Sequence, residues 1–268
     1  EDDYDSEAGD DDDDDDEEDP EAGLSVIEAI ADLLPALASY MGASFAQHFT
    51  PHFNALMRRT SENRTETERL LCYATLVEVV RAVGPPAAMC APVALPGCLR
   101  DLTSGDVGLR RNCAYCAGVL VSVGGEHAAQ FHSVVAQALV PMLSAENEPD
   151  GGVRDNAVGA LARLLQVVGI HGEGAALLDV VLRALPLRND LEEGPDVYHW
   201  LANTIADTPT SLSEAHVRQV IHIFNQVFTE KLAAEVTLRI ITLSVEKGCG
   251  VDPRVAEAAT SLQQHHAL

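Results

Sequence analysis

Aromatic residues are scarce in this 268-residue chain, with one Trp, five Tyr and six Phe. No run of alternating β-branched residues reads as a strand, which excludes a sandwich or a barrel; long Ala/Leu/Val stretches favour an all-α protein instead. Basic residues are also short: 17 Lys and Arg stand against 42 Asp and Glu, a formal net charge of −25. Such a chain repels nucleic acid and attracts basic proteins. The cysteines Cys72, Cys90, Cys98, Cys113, Cys116 and Cys249 lack the compact spacing of a disulfide frame, and their apolar helical contexts fit a reduced, intracellular compartment. No basic-then-apolar signal segment opens the chain. The apolar stretch at 114–123 is about half a membrane span and follows Arg110-Arg111 directly. No nucleophile elbow, phosphate-cradling glycine loop or metalloprotease pattern occurs. The expectation is therefore a non-enzymatic protein with no cofactor, metal or membrane partner. The first residue is Glu1, not Met, which points to a fragment of something longer.

What the chain does have is period. Prolines stand at Pro51, Pro96, Pro141 and Pro186, 45 positions apart each time. A fixed repeat of this length marks stacked helical units, in which each unit buries its apolar face on its neighbours. Around the last three prolines an apolar run ends, a polar turn follows and a second apolar helix begins. Val83-Gly84, Val123-Gly124 and Val168-Gly169 close the second helices. The predicted hairpins pair 45–59 with 63–83, 86–102 with 106–123, 126–143 with 151–168, 173–187 with 190–207, and 213–229 with 231–247. A helix from 24 to about 43 precedes them and one near 252–265 caps the stack. Residues 1–21 hold 16 of the 42 acids and no base, and 1–23 reads as a disordered acidic linker before a solenoid over 24–268.

A shift of 44 residues sets VGLRRNCAYCAGVL, from Val107, over GGVRDNAVGALARL, from Gly151, so Arg110 meets Arg154 and Asn112 meets Asn156. Arg69 takes the Arg110 part in the first hairpin; in that register Ala55, not Pro51, meets Pro96. Ala157, Leu161 and Leu165 form one helical row and Ala160, Leu164 and Val168 the next, together a broad buried stripe.

Two-helix units of this length, with a late proline in the first helix and a Val-Arg-x-Asn start to the second, resemble HEAT repeats. The phrases Val153-Arg154-Asp155-Asn156, Gly159-Ala160-Leu161-Ala162-Arg163-Leu164-Leu165, Arg183-Ala184-Leu185-Pro186-Leu187 and Asp190-Leu191-Glu192-Glu193 follow an acidic run. In that order they resemble the importin-β (karyopherin) family of nuclear import receptors, from the acidic run to about Gly248. The resemblance implies a HEAT-repeat α-solenoid, a right-handed superhelix of antiparallel helix pairs. It also implies a C-terminal arch that binds basic cargo, such as core histones or ribosomal proteins, on an acidic concave face. Nucleoporins and the GTPase Ran would be partners through the full-length receptor, which shuttles between cytoplasm and nucleus as a monomer. A generic HEAT scaffold and an acidic histone-chaperone-like protein are the alternatives. One departure is Gly194-Pro195 after the acidic phrase. Either Asp190 and Glu193 form a capping box, or Pro195 opens the helix and leaves both glutamates in the turn.

Under this resemblance the candidate cargo-binding residues are Asn112, Tyr115, Asp155, Asn156, Glu192, Glu193 and Trp200, with a distant patch at Glu66 and Glu68. Glu192 and Glu193 would be a socket for a cargo lysine, whose ammonium wants acceptors on several sides; the plainer reading is acid enrichment at a helix start. Asn112 and Asn156 face cargo backbone, or form a ladder that bonds the neighbouring repeat's backbone. Tyr115 walls a lysine stem, or packs. Trp200 stacks a stem, or is core. Glu66 and Glu68 extend the acidic face, or are a solvated first turn. Cys113-x-x-Cys116 supplies two thiols where zinc needs four ligands, and reads as packing.

Overall fold

A computed structural model describes residues 20–265; the acidic run at 1–19 and residues 266–268 lie outside the described residues. Twelve α-helices follow one another: α1 (Pro20–Met41), α2 (Ala46–Arg58), α3 (Glu66–Val83), α4 (Ala91–Asp101), α5 (Val107–Gly124), α6 (His132–Leu139), α7 (Gly151–Val168), α8 (Glu173–Ala184), α9 (Gly194–Asp207), α10 (Glu214–Glu230), α11 (Glu235–Val251) and α12 (Pro253–His265). No strand occurs among the described residues. The five predicted hairpins are α2/α3, α4/α5, α6/α7, α8/α9 and α10/α11. Helix α1 precedes them and starts at Pro20, before the expected boundary at 24. The second helices stack on one another in chain order from α1 through α3, α5, α7 and α9 to α11, while α12 closes the end against α10 and α11. This is the architecture of a HEAT-repeat α-solenoid.

In the third and fourth hairpins the first helix stops short of the end of its apolar run, and a proline stands at the stop. In the third hairpin the 126–143 run is α-helical only over His132–Leu139, with 3-10 turns at Gly125–Phe131 and Val140–Leu143. Pro141 has no N–H to continue the α-helical ladder. In the fourth, α8 stops at Ala184 and Leu185 turns extended (ψ 154°), as the residue before a proline must. Helices α3, α5, α7 and α10 have capped starts. Thr65, Asp106, Asp150 and Ser213 each accept a backbone N–H at a helix start. Gly84 (φ 71°) and Gly169 (φ 84°) end α3 and α7 in a conformation closed to other residues. Helix α5 runs through Gly124, and Gly125 takes the capping position that Gly84 and Gly169 hold after α3 and α7.

The row of second helices carries most of the core. Helix α7 is buried from Gly152 to Leu165 apart from half-buried Arg154, but Val168, expected in the stripe, is 43% exposed where the helix runs out. Small residues let the helices meet closely. A Cβ on Gly118 of α5 would lie 2.5 Å from the Ala160 Cα of α7, closer than any packed carbon allows. Residues 25–58 are long and apolar enough to cross a membrane by length and composition. Here α1 buries Ile27, Leu34 and Ala38 and packs on α3.

Polar staples bind each turn to the next. Arg69 donates to Asp101 (2.5 Å) and Arg110 donates to both oxygens of Glu148 (2.7 and 3.0 Å). Each guanidinium thus reaches the loop of the following hairpin, as the assignment of Arg69 to the Arg110 part requires. Arg110 Nη1 also donates to the carbonyls of Ser104 and Gly105, and Arg154 Nη1 to those of Glu148 and Pro149. The 44-residue shift therefore holds for the carbonyl contacts of these two arginines.

Two predictions follow from this packing. Gly118→Leu should destabilise the fold by at least ~3 kcal/mol, because the added atoms meet backbone rather than a movable side chain. Gly105, whose Cβ would meet nothing, should accept alanine with little change; urea midpoints of both variants test this. Glu148 is 3% exposed, and its carboxyl is held below the ordinary value chiefly by the hydrogen bonds from Arg110. A depressed carboxylate stabilises the fold above its unfolded value of about 4.3 and loses that contribution as pH falls through the folded value. Glu148→Gln should lose roughly 3 kcal/mol at neutral pH, since it strands Arg110, and should flatten the acid limb of the stability profile. An unchanged acid limb would remove Glu148 from that transition.

Candidate functional site

A cleft of about 270 Å³ is lined by α3, α5, α7 and the stretch from Asp190 to Asp196 that leads into α9. Asn112, Tyr115, Asn156, Glu192 and Glu193 all line it. Five of the nine candidates thus come together from three successive hairpins. Glu78, Asp190 and Asp196 add carboxylates, and Arg81, Arg111 and Arg163 add guanidiniums.

The floor is a buried ion-pair cluster. Arg163, in the middle of apolar α7, donates to both oxygens of Glu193 (2.7 and 3.2 Å) and to Asp196 (2.6 Å). Its side chain is 7% exposed and that of Glu193 6%. Burial is the largest influence on Arg163 and acts against its charge, yet the bonds and charges of Glu193 and Asp196 outweigh it and hold the guanidinium ionised. Burial pushes the Glu193 carboxyl above its ordinary value against the pull of Arg163. Gly159 makes the pair possible: a Cβ there would lie 1.8 Å from Glu193 Oε2. On the other side the Arg163 guanidinium stands 5.0 Å from the Tyr115 ring centroid, and the Tyr115 hydroxyl accepts from Arg81 (2.8 Å). Burial raises the Tyr115 pKa, the leading cause of its shift. One polar chain therefore links α3, α5, α7 and α9.

The asparagines differ in their occupation. Asn156 Nδ2 donates to the Gly152 carbonyl (2.9 Å) and to Asp190 Oδ2 (2.7 Å). It is a rung to the neighbouring repeat, through a side chain rather than through backbone. Asn112 Oδ1 is buried and accepts no hydrogen bond. Glu192 is exposed on the rim. Among the described residues, Glu78, Asp190 and Glu192 have no Arg, Lys or His within ion-pair distance, while Arg111 is paired with Asp150 (3.3 Å).

The other four candidates lie elsewhere. Asp155 is buried, and its Oδ2 accepts the backbone N–H groups of Arg188, Asn189 and Asp190 at 2.5–2.9 Å. It clamps the turn that carries the acidic phrase instead of facing the cleft. Glu66 accepts from Ser104 Oγ. Glu68 completes a capping box with Thr65 and pairs with Arg59 (3.1 Å). Trp200 is half-buried and lines an adjoining cleft. The capping box considered for Asp190 and Glu193 does not form. The Asp190 N–H goes to Asp155, Glu193 goes to Arg163, and Asp190 caps only the 3-10 turn Leu191–Glu193. Helix α9 then opens on Gly194 and Pro195.

Arg163, Asp196, Glu78 and Arg81 were not among the sequence candidates. Arg163 did carry a signal, since an arginine inside Ala-Leu-Ala-Arg-Leu-Leu must find a buried partner. Glu78 and Arg81 carried none beyond an ordinary solvated helix face. Cys113 and Cys116 are buried beside Cys98, with 3.5 Å between the Cys98 and Cys116 sulfurs, and burial holds the Cys98 thiol well above its usual value. Among the described residues no cluster of three or more His, Cys, Asp or Glu is placed to hold a metal.

Comparison with known proteins gives this geometry relatives. No family model matches the chain. It is 33% identical to human importin-4 over 169 residues, 63% of this chain and 15% of that protein. It is 25% identical to the probable importin subunit beta-4 of Schizosaccharomyces pombe over 251 residues, 91% of this chain and 23% of that protein. In fold it is similar to the karyopherin Kap121p, solved bound to the SUMO protease Ulp1p: the TM-score is 0.66 at 15% identity, over 90% of this chain and 22% of that one. The chain spans less than a quarter of the length of each of these proteins. In sequence it matches importins, and in fold a karyopherin, all of them members of the importin-β family.

Proposed function

We propose that this chain is part of a nuclear transport receptor and holds a lysine-rich segment of a basic cargo, of the core-histone or ribosomal-protein kind, in the α5/α7/α9 cleft. The observation that carries the reading is the charge inventory of that cleft. Five carboxylates face three guanidiniums, and among the described residues Glu78, Asp190 and Glu192 have no Arg, Lys or His within ion-pair distance. A lysine ammonium entering there meets carboxylates on the rim and the amide of Asn112, which suits a donor with three hydrogens. Glu193 and Asp196 serve differently, because Arg163 already occupies them. The pair first expected at 192–193 thus divides into a reader, Glu192, and a support, Glu193. The similarity to importins supports the transport role, and with it shuttling between cytoplasm and nucleus. In this reading nucleoporins and Ran engage the rest of the receptor, and the receptor acts as a monomer.

A lysine-rich histone-tail peptide should bind with an affinity that falls as salt rises. Glu192→Gln, or acetylation of the held lysine, should weaken it by about tenfold, the scale of one charge-assisted hydrogen bond. Glu193→Gln should act first on stability, lowering the melting temperature. Equal affinities for plain and acetylated peptide, measured by calorimetry, would refute the socket. The acidic run offers a rival, since a polyanion shields basic proteins without defined geometry. Removing residues 1–21 should leave the peptide affinity within about twofold at 0.15 M salt, as expected if the cleft supplies the short-range contacts that salt screens least. If binding disappears with that segment, the cleft is not the reader.

A further inference from the structure

A second cleft of about 570 Å³ adjoins the first. The two share Arg163 and Asp196, so this ion pair is the partition between them. The chemistry beyond the partition is different. On α9, Asp196, Trp200, Asn203 and Asp207 follow at helical spacing and share a face. The half-buried indole of Trp200 is flanked along the helix by two carboxylates, Asp196 paired with Arg163 and Asp207 paired with Lys247, which remain 45% and 56% exposed. Ser122 of α5 and Gln166 of α7 line the same cleft. Among the described residues the side chains of Ser122 and Asn203 make no hydrogen bond, and that of Gln166 reaches only the Ala162 carbonyl, at 3.4 Å. An aromatic face between carboxylates suits a cation on an aliphatic stem. Uncommitted amides and hydroxyls suit the backbone of the chain that carries it.

The spacing of the clefts sets the ligand. Asn112 and Ser122 are ten residues apart on α5, and so are Asn156 and Gln166 on α7. At ~1.5 Å of rise per residue that is about 15 Å. An extended peptide advances ~3.3 Å per residue and covers the distance in four or five residues. We infer that the two clefts form one two-site receptor, selective for an extended peptide whose second lysine or arginine lies four or five positions from the lysine in the first cleft. This rests on the lysine reading of the first cleft and adds to it a second contact and a spacing rule.

Trp200 is the sole tryptophan of the chain, so its emission reports on the second cleft alone. The full 268-residue chain would be titrated with synthetic Gly/Ser-rich peptides carrying one lysine, or two lysines two, four, five or eight positions apart. Affinity is read by calorimetry and occupancy by Trp200 fluorescence. The four- and five-residue spacings should bind about fivefold tighter than the single lysine, the scale of one cation over an indole, and should shift the emission. The single-lysine peptide should bind without shifting it. Gln166→Ala with Asn203→Ala, both at exposed positions, should erase the gain and leave single-lysine affinity unchanged. If a second lysine adds nothing at any spacing while Glu192→Gln still weakens the single-lysine peptide, the two-site inference fails and the first cleft stands. If a second lysine helps equally at all spacings with no change in emission, it acts through general charge and the inference also fails. If no peptide binds, both readings fall.

Discussion

A guanidinium shut away from water has to be paired, because the desolvation of a charge costs several kcal/mol and only close carboxylates offset it. Arg163 meets that constraint across a unit boundary. It is rooted in α7 and its partners belong to the next hairpin, Glu193 in the turn and Asp196 in α9. Helices α7 and α9 touch far less than α5 and α7 do, so the ion-pair cluster, rather than apolar interdigitation, sets much of their spacing. Gly159 leaves the room for Glu193, and the Tyr115 ring closes the opposite side. Arg163 and Asp196 line both clefts.

The same pairing across unit boundaries runs through the solenoid. Buried charges join repeats, and some exposed pairs, such as Arg188 with Glu230 and Lys247 with Asp207, do so as well. Arg69 with Asp101, Arg110 with Glu148 and Asp155 with the 188–190 backbone each tie the start of one second helix to the turn of the next hairpin. The pairs are well shielded from water, so salt screens them little. An arch stapled this way presents its rim carboxylates on a prepared surface, and binding an extended segment need not pay for ordering the receptor as well as the ligand.

The repeat period and the 44-residue shift made the helix pairs legible, and the matched carbonyl contacts of Arg110 and Arg154 show why. The shift records one loop geometry used twice. Boundaries were less legible wherever proline cut an apolar run short, as at Pro141 and Pro186. That several candidates come together was legible, but not the partners each one finds. Asn112, Asn156 and Glu192 converge because each stands near the start of a second helix, a property that spacing reveals. Whether a given acid faces out or in depends on what the adjacent unit offers. Glu193 turns inward because Arg163 and Gly159 await it from the neighbouring hairpin, and Asp155 because three backbone N–H groups converge on it. Both facts belong to the contact between units, which no single repeat encodes.

Charge magnitudes explain why such a surface would read several residues of a ligand and not one. Two unit charges 4 Å apart interact by about 1 kcal/mol in water and about 4 kcal/mol at a protein surface. One lysine on the Glu192 rim is therefore too weak to hold a cargo alone. Adding carboxylates to a single spot is self-limiting, because like charges repel and begin to take up protons. The first cleft avoids this by placing three guanidiniums among five carboxylates, which leaves a small surplus spread along the wall. A surplus of that form is weak at any one point and adds up only for a ligand whose cations follow the same path. In the proposed reading, selectivity would come from the fixed positions of the helices that carry the acids, and the buried pairing of Arg163 helps to set those positions.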